Sequence, residues 1–245
     1  MLDATMDFIG VLVLVYFFAL SVIYAAFTAI AWRSLTKHLR RRRSDTGMQA
    51  SSPLTPPITV VLPAYNEEAG IVESVRSLLA LRYPTHEVVV INDGSTDDTM
   101  QVLTDEFDLA PVRKPLRTAL PTAPVKGVYV SRRDPDLWVV DKANGGKADA
   151  LNCGINAARF PYLCAIDADA LIEPDALLQV AKPILDRPEL VAATGGIVRI
   201  ANGCRIEDGR VLEVGAPSNP LAVLQVVEYF RAFLVGRMAW ARLNS

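Results

Sequence analysis

The sequence predicts an α/β protein in which a mainly parallel β-sheet is flanked by helices and preceded by one transmembrane helix. Three observations lead to this prediction. Residues 8–32 form an uncharged, mostly apolar segment, short β-branched runs alternate with helical patterns from residue 58 onward, and polar groups follow the ends of those runs. Such alternation is typical of a parallel sheet covered by helices.

The first element is a transmembrane helix over residues 8–32. These 25 residues carry no charge, and a helix rising about 1.5 Å per residue then crosses a hydrocarbon core of about 30 Å with some tilt. A cleaved signal peptide is the alternative, but it favours positive charge before a shorter apolar stretch, whereas Asp3 and Asp7 come first here. Basic residues follow the segment: Arg33, Lys37, Arg40, Arg41, Arg42 and Arg43.

These basic residues predict the orientation of the helix. The positive-inside tendency places the amino terminus outside and everything later in the cytoplasm. The cluster can also contact anionic headgroups of the membrane lipid. We therefore predict that residues 1–43 are a transmembrane helix with a basic juxtamembrane segment, and that the polar, proline-containing residues 44–57 are a linker.

Composition excludes two other classes of protein. The net charge is −2, and without the basic cluster the remainder is acidic, so no basic face is left for nucleic acid. The three cysteines show no C-x-x-C spacing. This pattern indicates neither a disulfide framework nor a zinc site, and it fits a reducing cytosol.

The predicted catalytic domain covers residues 58–220. We predict strands over residues 58–62, 87–91, 137–140, 162–166 and 191–200. We predict helices near residues 67–81, 96–107, 147–158 and 175–185. Ligands of such a sheet bind at the carboxyl ends of its strands.

Polar residues cluster at those carboxyl ends. Four strands run into residues 63–68, 92–98, 141–147 and 167–169. In the second cluster, Ser95 and Asp98 also fit a helix capping box and Asp93-Gly94 fits a simple turn. We favour a functional role for Asp93, whose carboxylate could accept the ring N–H of a base.

Asp167 and Asp169 form the predicted metal site. Side chains at i and i+2 of an extended segment point the same way, so both carboxylates can converge on one hard cation, although the same spacing occurs in solvated turns and helix caps. Lys147 follows two glycines at the start of a helix, where its ammonium and the backbone N–H groups could meet a diphosphate. Asp149 could pair with Lys147 or face a sugar.

Two common nucleotide-binding motifs are excluded. Gly145-Gly146-Lys147 is not a phosphate-binding P-loop, because the position that requires its first glycine is Asp141. No G-x-G-x-x-G follows any predicted strand, which argues against a dinucleotide-binding dehydrogenase.

The four clusters together resemble the processive family 2 glycosyltransferases. The segments PAYNEE, INDGSTDDT, NGGKADALN and DAD occur in order and with typical spacing between residue 58 and residue 245. Bacterial poly-β-1,6-N-acetylglucosamine synthases resemble the chain most, and hyaluronan, chitin and cellulose synthases are more distant. The resemblance implies a GT-A-like fold.

The resemblance also implies a role for each matching residue. Ala64, Tyr65 and Glu67 are expected to line the uridine pocket, and Asp93 is expected to contact the uracil. Three further residues match the diphosphate and metal positions: Lys147 beside the diphosphate, and Asp167 and Asp169 as the D-x-D pair, of which Asp169 holds Mg²⁺ or Mn²⁺.

The implied function is that of a membrane-bound inverting hexosyltransferase in a bacterial inner membrane. It would transfer a sugar, most plausibly N-acetylglucosamine, from a UDP-sugar to a growing exopolysaccharide, with membrane lipid and an accessory membrane subunit as further partners. Two alternatives stay open. The chain could be a donor-binding fragment without turnover, or a polyprenyl-phosphate glycosyltransferase that transfers one sugar to a lipid.

The catalytic base of these enzymes comes from a later acidic motif, and a Gln-x-x-Arg-Trp segment clamps the substrate. We find neither before Ser245, so we expect an incomplete domain, truncated at its carboxyl end. Glu207-Asp208 is predicted to be part of a hairpin, because Asp208-Gly209 is a strong turn signal. Residues 221–245 are predicted to form a loosely amphipathic helix on the cytoplasmic membrane face, with ordinary core packing as the alternative.

Overall fold

The computed structural model describes residues 2–45, 55–196, 200–207 and 210–232. Two compact units are distinguished. One comprises Met1–Gly47, Ile197–Cys204 and Val214–Ser245, and the other comprises Met48–Gly196 and Arg205–Glu213.

The first unit is dominated by helix α1, Leu2–Asp45. Its part Met6–Ile30 has a mean hydropathy of 2.5, and none of it is buried within the protein. This part is long and apolar enough to cross a membrane, as residues 8–32 were predicted to be. Helix α1 also includes the first two residues of the predicted linker, whose residues 46–54 lie outside the described residues. The side chains of the basic cluster after Arg33 lie outside them as well.

Helix α6, Pro220–Phe230, belongs to the same unit. Asn219 caps it by accepting a hydrogen bond from the Leu221 N–H at 2.9 Å, and Pro220 occupies its first turn. Arg231 pairs with Glu228 at 2.5 Å and donates a hydrogen bond to the Tyr24 hydroxyl of α1 at 3.4 Å. The predicted helix over residues 221–245 is thus present in its first part, and residues 233–245 lie outside the described residues.

The second unit contains a six-stranded sheet in the order β3-β4-β5-β2-β1-β6. Its strands are β1 Ile58–Ala64, β2 His86–Asp93, β3 Leu109–Pro111, β4 Val125–Ser131, β5 Leu137–Lys142 and β6 Tyr162–Ala165. The neighbours β5, β2, β1 and β6 are parallel, whereas β4 pairs antiparallel with both β5 and β3. The predicted, mainly parallel α/β architecture is confirmed.

Helices cover both faces of this sheet. They are α2 Ile71–Leu79, α3 Thr99–Phe107, α4 Lys147–Ala157 and α5 Ala176–Asp186. Val60 and Leu62 of β1 face the larger apolar cluster with α2, α3 and α5, and Val61 faces the smaller cluster with α4. Because both faces are covered, the central residues 60–62 of β1 and 88–91 of β2 are all apolar and buried, without alternation.

The predicted strand over residues 191–200 is wrong for the part that the structure describes. Residues 191–196 form no strand and are largely exposed, and residues 197–199 lie outside the described residues. A segment becomes a strand only when another strand pairs with it, and no strand within the described part of the chain pairs with residues 191–196. The predicted hairpin has better support, because β7 Arg205–Glu207 pairs antiparallel with β8 Arg210–Glu213, while residues 208–209 lie outside the described residues.

Gly154 lets α4 approach the sheet closely. A Cβ atom added there would overlap the Cγ1 atom of Val61, which is buried in β1. We expect Gly154→Ala to lower the free energy of unfolding by about 2 kcal/mol, because overpacking outweighs the better helix propensity of alanine. Urea unfolding of the detergent-solubilised chain, followed by circular dichroism, measures this loss.

Gly10→Ala is the matched control, since a Cβ at this helical glycine would meet nothing within 4 Å. It should cause no loss of stability. Equal stabilities of the two variants would contradict the close contact between α4 and β1.

Candidate donor-binding site

The carboxyl ends of β1, β2, β5 and β6 lie at one edge of the sheet, and hydrogen bonds join the loops that follow β1 and β2. The Asn66 N–H donates to the Ser95 hydroxyl at 3.0 Å, and the Glu67 N–H donates to the Thr99 hydroxyl at 2.9 Å. In return, the Thr96 N–H donates to the side-chain oxygen of Asn66 at 2.8 Å. The two predicted polar clusters therefore form one connected surface.

These bonds argue against the capping box that was the structural alternative for Ser95 and Asp98. Asp98 is the residue before α3 and makes no capping bond with its side chain. The Ser95 hydroxyl is instead used by the neighbouring loop, through Asn66. A tertiary partner has thus replaced the local one.

Ala64 is the last residue of β1, beyond the end of the predicted strand, and Tyr65 and Glu67 lie in the loop that follows it. Ala64 is buried, Tyr65 is exposed and Glu67 is half-buried. Burial raises the pKa of the Glu67 carboxyl, and the negative charges of Asp169 and Asp97 raise it further. Glu67 and Asp169, from two different motifs, therefore share one electrostatic environment.

Asp93 is almost completely buried, with 3% of its surface exposed. One carboxylate oxygen accepts hydrogen bonds from the Lys142 ammonium and from the Gly145 N–H at 3.0 Å, and the other accepts from the Gly146 N–H at 2.7 Å. The carboxylate thus holds the glycine loop. Its predicted contact with uracil stays a prediction.

Lys142 is the functional candidate that the sequence reasoning missed. Its side chain is fully buried, and its ammonium contacts Asp93, Asp149 at 2.6 Å and the Ala143 carbonyl at 2.7 Å. Burial by itself lowers the pKa of Lys142, but hydrogen bonds and attraction from Asp149 and Asp93 outweigh burial, so the pKa is raised. One signal existed: Lys142 is two residues beyond Val140, so it shares the sheet face that α4 covers.

Asp149 pairs with Lys142 and not with Lys147, which corrects one of its two predicted contacts. It also accepts a hydrogen bond from the Ala123 N–H at 2.9 Å. The hydrogen bond from Lys142 is the main cause that lowers the pKa of Asp149. A donor-binding role for Asp149 stays a prediction.

Lys147, Asp167 and Asp169 are the accessible charges of this edge. The Lys147 ammonium lies 2.5 Å from the Asp167 carboxylate, and 64% and 58% of the two side chains are exposed. Buried Ile166 and Ala168 alternate with exposed Asp167 and Asp169. Both carboxylates are exposed, but the extended segment predicted for them is wrong: β6 ends at Ala165, and the Ala170 N–H donates to the Asp167 carbonyl at 3.0 Å, which closes a turn over Asp167–Ala170. Their convergence on one cation stays a prediction.

The carboxylates suit a magnesium or manganese ion. No group of three His, Cys, Asp or Glu residues within the described residues is placed to hold a metal. Mg²⁺, however, is commonly bound by one or two carboxylates together with substrate phosphates. Asp167 and Asp169 provide such hard oxygen ligands at an exposed position.

The buried ion cluster predicts a large stability effect. Lys142→Met would leave the Asp93 and Asp149 carboxylates without their counter-ion, and removing one partner of a buried pair costs about 3–5 kcal/mol. Lys126→Met is the control, because Lys126 is exposed and pairs with Asp141 at 3.7 Å, and such surface pairs contribute at most about 1 kcal/mol. Chemical unfolding of both variants measures the difference, and equal losses would contradict the role of the cluster.

The lowered pKa of Asp149 predicts a pH dependence. A carboxyl whose folded-state pKa lies below its unfolded value of about 3.9 stabilises the fold above that pH, and this stabilisation is lost as the pH falls through the folded pKa. The stability advantage of wild type over Asp149→Asn should therefore shrink between about pH 5 and about pH 3. Chemical unfolding of both proteins across this pH range measures the difference in their free energies of unfolding. A difference that stays constant with pH would show that the charge of Asp149 does not contribute to stability.

Comparison with known proteins identifies the family. Residues 59–206, more than half of the chain, match glycosyl transferase family 2. Poly-beta-1,6-N-acetyl-D-glucosamine synthase of Staphylococcus epidermidis is 32% identical over 139 residues, which cover 56% of this chain and 28% of that protein. The synthase of the same name from Staphylococcus aureus (strain COL) is 31% identical over 180 residues, covering 73% and 34%. The chain thus spans about a third of the length of these relatives.

Among solved structures, the chain is similar to two proteins that were determined with a nucleotide sugar bound. Staphylococcus aureus TarS 1-349 in complex with UDP-GlcNAc is 25% identical, with a TM-score of 0.40 over 54% of this chain and 32% of that chain. The mannosyltransferase PcManGT of Pyrobaculum calidifontis, in complex with GDP-Man and Mn2+, is 25% identical, with a TM-score of 0.43 over 66% and 43%. With the match over residues 59–206, the chain belongs to glycosyl transferase family 2.

Proposed function

We propose that this protein is a membrane-bound, metal-dependent transferase that moves N-acetylglucosamine from UDP-N-acetylglucosamine to a growing polysaccharide with inversion. The observation that supports it most is the 2.5 Å pair between Lys147 and Asp167 at the edge that also carries Glu67 and Asp93. Four motifs from separate strands meet there, and the 31–32% identity to polysaccharide synthases supports the choice of sugar and product.

Donor binding is the first step of the proposed mechanism. The end of β1 and the loop after it, with Ala64, Tyr65 and Glu67, receive the uridine, and the exposed Tyr65 ring offers an apolar surface for a base. Lys147 and the backbone at the start of α4 receive the diphosphate, since an ammonium and a helix amino terminus both favour negative charge.

Transfer of the sugar is the second step. The acceptor hydroxyl attacks the anomeric carbon, its bond to that carbon forms as the bond to the diphosphate oxygen breaks, and UDP leaves from the opposite face. Negative charge develops on the leaving oxygens, where Lys147 stabilises it. Asp167 and Asp169 would hold Mg²⁺ or Mn²⁺, which supplies further charge stabilisation when bound. The acceptor proton leaves to a base that the family resemblance places in a separate acidic motif.

Helix α1 supports the membrane location of the proposed enzyme. Its apolar part is long enough to cross a bilayer, and the basic residues that follow favour a catalytic domain on the cytoplasmic side of a bacterial plasma membrane. Membrane lipid would then surround α1, and the nascent polysaccharide would be made at the same membrane.

The metal role predicts the effect of one substitution. Asp169→Ala should abolish the part of UDP binding that depends on Mg²⁺ or Mn²⁺, because it removes a carboxylate ligand, and it should leave the fold intact. Calorimetric titration with UDP, with each metal and with chelator, measures this. Asp186→Ala, at the exposed end of α5, is the matched control. UDP affinity in Asp169→Ala equal to that of wild type would reject the metal role.

Product analysis tests the reaction itself. Membranes that contain the protein are incubated with radiolabelled UDP-sugars, and we expect a polymer from UDP-N-acetylglucosamine in preference to other donors. A labelled lipid that carries a single sugar would replace the proposal with a polyprenyl-phosphate glycosyltransferase. UDP binding without any transfer would indicate a donor-binding module.

A further inference from the structure

We propose that Lys142 is a positioning residue for donor binding. Its buried ammonium, acting through Asp93, holds the Gly145-Gly146 loop in the conformation that presents Lys147 to the diphosphate. This inference rests on the proposed function, because it assigns to Lys142 a part in binding the same donor. It adds a residue that has no exposed surface and cannot touch the donor itself.

The first step of the argument is charge balance. Asp93 at the end of β2 and Asp149 on α4 both direct a carboxylate oxygen at the Lys142 ammonium. Two carboxylates around one buried point would repel each other in a medium of low dielectric constant. The Lys142 ammonium lies between the two carboxylates and offsets this repulsion, so Asp93 and Asp149 can both face the same buried point.

The second step is the use of the Asp93 carboxylate. Its two oxygens accept the successive N–H groups of Gly145 and Gly146, at 3.0 and 2.7 Å. Hydrogen bonds to an ionised acceptor are about twice as strong as neutral ones. The side-chain amide of Asn144 adds a bond to the Asp93 carbonyl at 2.8 Å. The whole loop is therefore attached to the end of β2.

The third step is the conformation that this attachment selects. Gly146 has φ 86° and ψ 169°, a region open essentially to glycine. Gly94, at the end of β2, has φ 70°, and a Cβ there would lie 2.6 Å from the Asn144 backbone nitrogen. Loop and strand end thus approach each other more closely than side chains would allow.

The last step connects the loop with the donor site. Helix α4 begins at Lys147, directly after Gly146, so the direction in which the loop ends determines where the first turn of α4 lies. In this arrangement Lys147 reaches Asp167 across the edge, at 2.5 Å. The contacts run without a gap from the buried ammonium of Lys142, through Asp93 and Gly146, to the exposed ammonium of Lys147.

The test compares two ligands that differ in the diphosphate. UDP carries it and uridine does not, so a loop that positions Lys147 affects UDP alone. We expect Lys142→Met to weaken UDP binding about tenfold or more, the size of one lost charge-assisted contact, and uridine binding by less than about threefold. Calorimetry for UDP and an NMR titration for uridine, with the full chain in detergent and Mg²⁺ present, give both affinities. Lys126→Met controls for loss of a lysine.

A double-mutant cycle separates positioning from general loosening of the fold. Lys147→Met should weaken UDP binding strongly in wild type and only slightly in the Lys142→Met background, because the ammonium is already displaced there. Equal losses in both backgrounds would overturn the inference. A uridine affinity that falls as much as the UDP affinity would overturn it too, since Lys142 would then act on the base pocket through Asp93.

Stability and the proposed function are controlled separately. If Lys142→Met does not fold, the double variant Lys142→Met/Asp149→Asn removes one positive and one negative charge together, and it should regain stability without regaining UDP affinity. Recovered UDP affinity in this folded double variant would overturn the inference. Absence of UDP binding to wild type would instead reject the proposed function, before any variant is compared.

Discussion

Hydrogen bonding between four parallel strands determines where the four candidate motifs of the donor site lie. The strands β5, β2, β1 and β6 are neighbours, and their registers align the ends of β1, β2 and β5 closely: Ala64 is opposite Asn92, and Asp93 is opposite Lys142. Motifs that are separated by up to about a hundred residues in sequence therefore share one edge. A slip of one residue would turn each buried side chain to the opposite face of the sheet.

The charged residues at this edge form one buried ion pair and one exposed ion pair. Asp93 and Lys142 are buried, bonded to each other and to backbone groups, and so belong to the framework. Lys147 and Asp167 are paired as closely but remain more than half exposed, so both are available to a ligand. The buried pair fixes the local geometry of the loop, whereas the exposed pair is the part of the edge that solvent can reach.

Much of this arrangement could be predicted from the sequence because strong local signals were present. The continuous apolar runs in β1 and β2 and the glycines before Lys147 gave the right elements and the right edge. Strands β3 and β4 were missed, because β4 contains Lys126 and Gly127 within a partly exposed, antiparallel strand. The predicted strand over residues 191–200 failed where the structure describes it, since strand formation depends on a distant partner that periodicity does not reveal.

In the candidate site, too, local patterns could be predicted from the sequence, whereas contacts between distant elements could not. Asp167 and Asp169 could be chosen only together with the other three motifs of the same edge, because their spacing alone also occurs in solvated turns and helix caps. The pairing of Asp149 with Lys142 could not, because it depends on how α4 lies across the sheet. A lysine in sequence reads as a surface residue, and only the tertiary structure shows that two carboxylates surround this one.

The contact of Gly154 with Val61 connects the distance between α4 and β1 with the position of Lys147 at the carboxyl edge of the sheet. At Gly154 the backbone of α4 rests directly on the Val61 side chain of β1, so no side chain of α4 adds to the distance between helix and sheet at this point. Lys147 is the first residue of this helix. A larger residue beneath α4 would move the helix away from the sheet and so change the distance between the Lys147 ammonium and Asp167. A substitution in the interior could therefore alter the position of an exposed charge that it does not contact.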